Sequence, residues 1–206
     1  MGKKILLCCF LSAVICEVPA MPGTVKKESS YNFPFVPRSE WSIRPPMDDP
    51  TPLDTPVPYV VIHHTYIPGA CADKETCTLS MRSMQRAHMA LDWGDIGYNF
   101  CVGGDGVAYE GRGWRVLGVH AGRANRFSLG ICLIGDWRFE LPPTQQLKTV
   151  EALIATALDL GIIDEHYKLV GHRQMTDTEC PGDALLEEIK TWKNYSPLPA
   201  GPEDPL

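Results

Sequence analysis

Two kinds of apolar spacing alternate along this chain. The run YVVIHHT, residues 59–65, is β-branched and continuously apolar until it turns polar at His63 and His64. That is the pattern of a buried strand delivering its last residues to an edge of a sheet. GYNFCVGGDGVAYEGRGW, residues 97–114, predicts two strands joined at GGDG, where glycine and aspartate supply the backbone freedom a turn needs. SLGICLIGDW and YKLVGH predict two more strands. Helical spacing occupies the other segments. Met81, Met84, His88 and Leu91 share one face, Leu147, Val150, Ile154 and Leu158 a second, and Leu185, Ile189 and Trp192 a third. Strands interleaved with helices predict a mixed α/β fold, a central mixed β-sheet flanked by about three helices.

The ends of the chain follow other patterns. Residues 1–20 place Lys3 and Lys4 before the apolar run ILLCCFLSAVIC and the small Ala20, which predicts a secretory signal peptide and an extracellular protein. The run is too short to cross a bilayer comfortably, so no membrane insertion is expected. Residues 21–37, rich in Pro, Lys and Ser, and residues 196–206, with Pro at 197, 199, 202 and 205, read as flexible segments around one domain at 38–195. Without residues 1–20 the chain holds 17 basic and 24 acidic side chains, a formal charge of −7. Such a surface argues against nucleic acid or an anionic membrane as partner.

Cysteine changes the picture further. Cys8, Cys9 and Cys16 would leave with the signal, and Cys71, Cys77, Cys101, Cys132 and Cys180 would remain. An odd number in an oxidising compartment leaves at least one thiol free, intermolecular or bound to a metal. Cys71 and Cys77, close together in a loop, read as a local disulfide, whereas Cys101 and Cys132 lie in apolar strand patterns and read as core thiols.

The sequence has no H-E-x-x-H, no G-x-S-x-G and no P-loop lysine motif. A sparse set remains: His63 and His64 at one strand end, His172 at another, and Cys180 on the loop that follows. Two imidazoles and a thiolate are a ligand set that zinc accepts, and three protein ligands leave a fourth position open for water. Spacing alone leaves other readings open. Strand-end histidines can be ordinary polar residues, and Cys180 can be a small buried hydrophobe or a disulfide partner of Cys101 or Cys132.

RSEWSIRPP, VIHHT, DIGYNF, GGDGVAYEGRGW, SLGICLIGDW and GHRQMTDTECPG occur in this order. Together they resemble the peptidoglycan recognition proteins of animal innate immunity, which are similar to phage lysozyme-type zinc amidases. The resemblance spans about residues 35–195. It implies a mixed sheet with a zinc-containing groove and bacterial peptidoglycan and muropeptides as partners; a monomer is expected. Amidase members cleave the bond between the lactyl group of N-acetylmuramic acid and L-alanine of the stem peptide.

Carried over by position, His63, His172 and Cys180 resemble the zinc ligands, Tyr98 the catalytic tyrosine and Thr178 the threonine beside the metal. His64, Thr65, Arg112 and Trp114 fall in matching segments as candidate substrate contacts, though Arg112 and Trp114 can equally be structural, since a GRGW loop can bury an aromatic under a hairpin; Arg123 or Arg126 could meet a diaminopimelic carboxylate. Members that bind without cutting commonly have serine at the position of Cys180, so the cysteine points to an enzyme and a non-catalytic receptor is the alternative. Zinc would supply both an activated water and a polarised carbonyl, and the Tyr98 hydroxyl would donate to the developing oxyanion. No glutamate is marked as general base. Ser42 and Ile43 depart from the glycine and alanine usual in the family.

Overall fold

The computed structural model describes residues 31–197; the expected signal peptide at 1–20, residues 21–30 and residues 198–206 lie outside the described residues. The strands are β1 (Phe35–Val36), β2 (Val57–His64), β3 (Phe100–Val102), β4 (Ala108–Glu110), β5 (Ser128–Leu133) and β6 (Ile163–Gly171). Between them run α1 (Arg38–Trp41), α2 (Lys74–Ala90), α3 (Thr144–Asp159) and α4 (Asp183–Ile189), with short 3-10 turns at Gly122–Phe127 and His172–Gln174.

All six strands form one sheet in the order β1-β4-β3-β5-β2-β6. Only β3 and β4 pair antiparallel; every other neighbouring pair is parallel. The mixed α/β sheet read from the sequence is therefore the observed architecture. Parallel strands need both faces covered, and helices do this. On one face Val150, Leu153, Ile154 and Ala157 of α3 and Leu185 and Ile189 of α4 pack on Val60, Ile62, Phe100, Leu129 and Ile131. On the other, Cys77, Met81 and Met84 of α2 pack on Cys101, Cys132 and Ile134. Each large apolar side chain buried this way contributes roughly 1.5–3 kcal/mol.

The start of α2 is fixed twice. Asp73 caps it by accepting from the Thr76 N–H at 2.8 Å, and the Cys71–Cys77 disulfide ties the preceding loop to its first turn. The helix stops at Ala90, so Leu91, expected on its core face, sits at the C-cap and is 60% exposed. Trp192 lies beyond α4 and is half-buried against the α3–α4 core.

The amino-terminal side extends further than expected. Phe35–Val36, inside the segment read as flexible, add an edge strand to β4, with Phe33 and Val36 buried. Trp41 of α1 is fully buried and donates its indole N–H to the Glu110 carbonyl at 2.7 Å. A two-residue strand between prolines has too little periodicity to be read from sequence. Of the two departures from the resembled pattern, Ser42 bonds Gln85 of α2 and Ile43 is exposed.

Candidate functional site

β2, β5, β3 and β6 run in the same direction, so their carboxyl ends meet at one end of the sheet, where open α/β folds place ligands. Ile62 of β2 pairs with Gly171 of β6, which makes His63 and His172 neighbours across the ladder; their ring centroids are 4.3 Å apart. After β6 the chain folds back, and the Cys180 carbonyl accepts from the Arg173 N–H at 2.8 Å. That returns Cys180 to the strand ends. One ring nitrogen from each of His63 and His172 and the Cys180 sulfur lie within 4.8 Å of one another. Cys101, Cys132 and Cys180 are free thiols, which removes the disulfide reading of Cys180.

The sulfur is held by the backbone. Cys180 Sγ accepts from the His64 N–H at 3.3 Å and lies 3.8 Å from Nδ1 of His63. The other nitrogen of His63, Nε2, is 2.9 Å from Nδ1 of His120, a residue the sequence reading missed. His120 is seated by Asn125, whose Oδ1 accepts from the N–H groups of His120 and Ala121. Its ring fills a slot floored by glycine: a Cβ at Gly118 or Gly130 would meet His120 carbons at 2.4 and 2.5 Å. Gly130→Ala is therefore expected to overpack this buried slot and lower stability by about 1–3 kcal/mol, read as a reduced urea midpoint. Thr176 Oγ1, also unforeseen, is 2.8 Å from Nε2 of His172.

These groups are electrostatically neutral at pH 7. Burial, reinforced by its histidine neighbours, holds His63 well below its ordinary value. Burial also depresses His120 to about 3 and His172 to about 4. The Cys180 thiol is pushed up to about 12 by burial, partly offset by the His64 N–H and Arg173. Tyr98 is held well above the usual phenol value by burial first and then by the thiols Cys132, Cys180 and Cys101.

A cavity of about 500 Å³ opens onto the cluster, lined by His64, Thr65, Tyr66, Tyr98, Arg138, His172, Thr178, Glu179 and Cys180. Tyr98 reaches it from the segment before β3, its ring centroid 5.2 Å from that of His63. His88 of α2 anchors that segment by accepting from the Gly97 N–H at 2.9 Å. Thr178 lines the cavity and spends its hydroxyl on the loop, accepting from the Cys180 N–H at 3.3 Å. His64 Nδ1 accepts from the Trp137 N–H at 3.2 Å, and Thr65 Oγ1 bonds the backbone of Pro68 and Gly135.

Arg112 and Trp114 are not brought to this cavity. Arg112 donates to the carbonyls of Trp93, Ile96 and Leu117 and lines a second cavity of about 330 Å³ with Trp93 and Asp95. Trp114 packs on Phe100 and donates to the Tyr31 hydroxyl at 3.0 Å. Arg123 and Arg126 are exposed on the 3-10 turn before β5.

A family model described as N-acetylmuramoyl-L-alanine amidase matches residues 53–183. Peptidoglycan-recognition protein LB of Drosophila melanogaster is 49% identical over 160 residues, 77% of this chain and 68% of the relative. The N-acetylmuramoyl-L-alanine amidase of Homo sapiens is 38% identical over 192 residues, 91% of this chain but 33% of the human protein, so this chain spans about a third of that relative's length. Among solved structures, peptidoglycan recognition protein LE in complex with tracheal cytotoxin, a monomeric diaminopimelic acid-type peptidoglycan, superposes with a TM-score of 0.77 at 43% identity. That alignment covers 79% of this chain and 95% of the other.

Proposed function

Because the chain belongs to the N-acetylmuramoyl-L-alanine amidase family, among the peptidoglycan-recognition proteins, we propose that it is a secreted, monomeric zinc amidase of peptidoglycan. In this reading it hydrolyses the bond between the muramic acid lactyl group and L-alanine of the stem peptide, and serves innate immunity. The observation that carries the proposal is the convergence of His63, His172 and Cys180 at the mouth of one cavity. The amidase names of the relatives and the cytotoxin bound by one of them support a muropeptide as the occupant. Among the described residues no helix is long and apolar enough to cross a membrane.

The donor set fits the ion. Both imidazoles are neutral, as metal ligation requires, and the bond from His63 Nε2 to His120 leaves Nδ1 facing the sulfur. His63, His172 and Cys180 would hold zinc with one position open. When bound, zinc supplies the Lewis acidity that polarises an amide carbonyl and activates water near neutral pH.

The chain's own side chains do the rest. His120 and Thr176 orient the two ligating rings from behind. Tyr98, kept protonated, lines the cavity, and its phenol O–H would donate to the carbonyl oxygen as it gains charge. Thr178 fixes the turn that presents Cys180, and His64 and Thr65 shape the wall the substrate meets. Arg112, Trp114 and the two arginines of the 3-10 turn have no part in the bond-breaking step.

The test is incubation of the protein with purified diaminopimelic-type and lysine-type peptidoglycan, with and without chelator, and mass spectrometry of the products. Stem peptide released with a free L-alanine amine, lost on chelation and restored by zinc, is the expected result. Binding without release by zinc-loaded protein would overturn the enzyme reading in favour of a receptor.

A further inference from the structure

Tyr66 and Arg138 stand beside the cluster, with Phe139 against the guanidinium, and the bond-breaking step uses none of the three. Tyr66 and Arg138 line the cavity. The Arg138 guanidinium carbon lies 4.5 Å from the centroid of the Tyr66 ring and 5.3 Å from that of Phe139. Asp136 pins the guanidinium from the side, accepting from Nε at 2.9 Å and from Nη2 at 2.8 Å. Neither ring serves the core, since Tyr66 is 48% and Phe139 83% exposed.

The backbone is bent to make this display. Tyr66 has φ +57°, the left-handed region that side chains with a Cβ avoid, and its N–H is held by the Gly135 carbonyl at 2.9 Å. A strained backbone that leaves an aromatic ring exposed at a cavity is of the kind found at ligand sites.

We propose that Tyr66, Arg138 and Phe139 form the subsite for the N-acetylated sugar that carries the stem peptide. This rests on the amidase reading and names where the glycan half of that substrate lies. A pyranose ring offers apolar C–H faces edged by hydroxyl and acetamido oxygens. The two exposed aromatic rings offer the faces that the guanidinium leaves open, and the guanidinium beside them donates to the oxygens. A stem-peptide carboxylate would call for an unpaired arginine, and Arg138 is already matched by Asp136.

The test compares two substrates with the same stem peptide, one attached through N-acetylmuramic acid and one through a bare lactyl group, together with an NMR titration of the peptide-free disaccharide. The variants are Phe139→Ala, at an exposed side chain, and Tyr66→Gly, which suits the positive φ. In the wild type the sugar-bearing substrate is expected to have the lower KM, and each variant to shrink that advantage by about ten-fold. Disaccharide is expected to shift the resonances of Tyr66 and Phe139. An advantage kept intact in both variants, or hydrolysis with no disaccharide shifts at these residues, would overturn the subsite and leave the amidase. Disaccharide shifts at Tyr66 and Phe139 with no hydrolysis of either substrate would support the subsite and overturn the amidase.

Discussion

Cys180→Ser is expected to abolish zinc retention and peptide release while leaving the fold and peptidoglycan binding in place. Serine is close to cysteine in size, and its hydroxyl can still face the His64 N–H that now meets the sulfur. The substitution therefore removes little packing, and the unfolding midpoint of metal-free protein is expected to change little. What it removes is the soft, ionisable ligand. The thiol is buried and neutral at pH 7, so its negative charge is affordable only opposite a cation, and binding the ion displaces the thiol proton. A hydroxyl in the same place gives up its proton far less readily and is the poorer zinc ligand. The fall in affinity is expected to exceed the roughly 10–100-fold typical of losing an outer partner of a ligand. Chelator competition, metal content after dialysis and mass spectrometry of digests measure the three quantities. A serine variant that keeps zinc and still releases stem peptide would sink the proposed role of Cys180.

The long elements of this fold were legible because each states its own pattern. The continuous apolar run of β2 and the 3.6-residue spacing of α3 need no tertiary information. The site is different in kind. His63 and Cys180 are 117 positions apart, and what joins them is the parallel register of Ile62 with Gly171 and a loop that doubles back. Neither is a local property, so residue types suggested a ligand set and only the ordered motifs suggested that its members meet.

His120 shows the limit most clearly. It lies in GVHAGR, outside any strand or helix period, and its role exists only because β2 brings His63 against it. The available signal was indirect: a buried histidine used as a ligand needs a partner for its second nitrogen, and an unassigned histidine flanked by glycines was a candidate for it. For Arg112 and Trp114 the sequence left two readings open, a groove wall and a structural role. Three backbone carbonyls hold the guanidinium and Phe100 and Tyr31 hold the indole, contacts that no local pattern in GRGW distinguishes from a groove wall.

Tyr98→Phe tests the step that the ligand cluster cannot perform alone. The ring lines the cavity, 5.2 Å from His63 by centroids, and is no part of the ligand set. Phenylalanine keeps the packing against His63 and His88 and deletes the hydroxyl together with its bond to the Cys132 thiol. If that hydroxyl donates to the carbonyl oxygen as charge develops, its contribution belongs to the transition state and not to the bound substrate. Its loss is expected to lower kcat by about 100- to 1000-fold while KM and zinc content stay near wild type. The sign of the phenol's shift adds a pH criterion. Because burial and the neighbouring thiols raise its pKa above the ordinary 10.0, the wild-type donor keeps its proton throughout the neutral and mildly alkaline range. Any fall in wild-type rate between about pH 7 and 9 must then arise elsewhere, and the variant is expected to show the same limb at a lower plateau. Equal kcat values for the two proteins would remove Tyr98 from the mechanism and leave the cavity's polarising power to the ion alone.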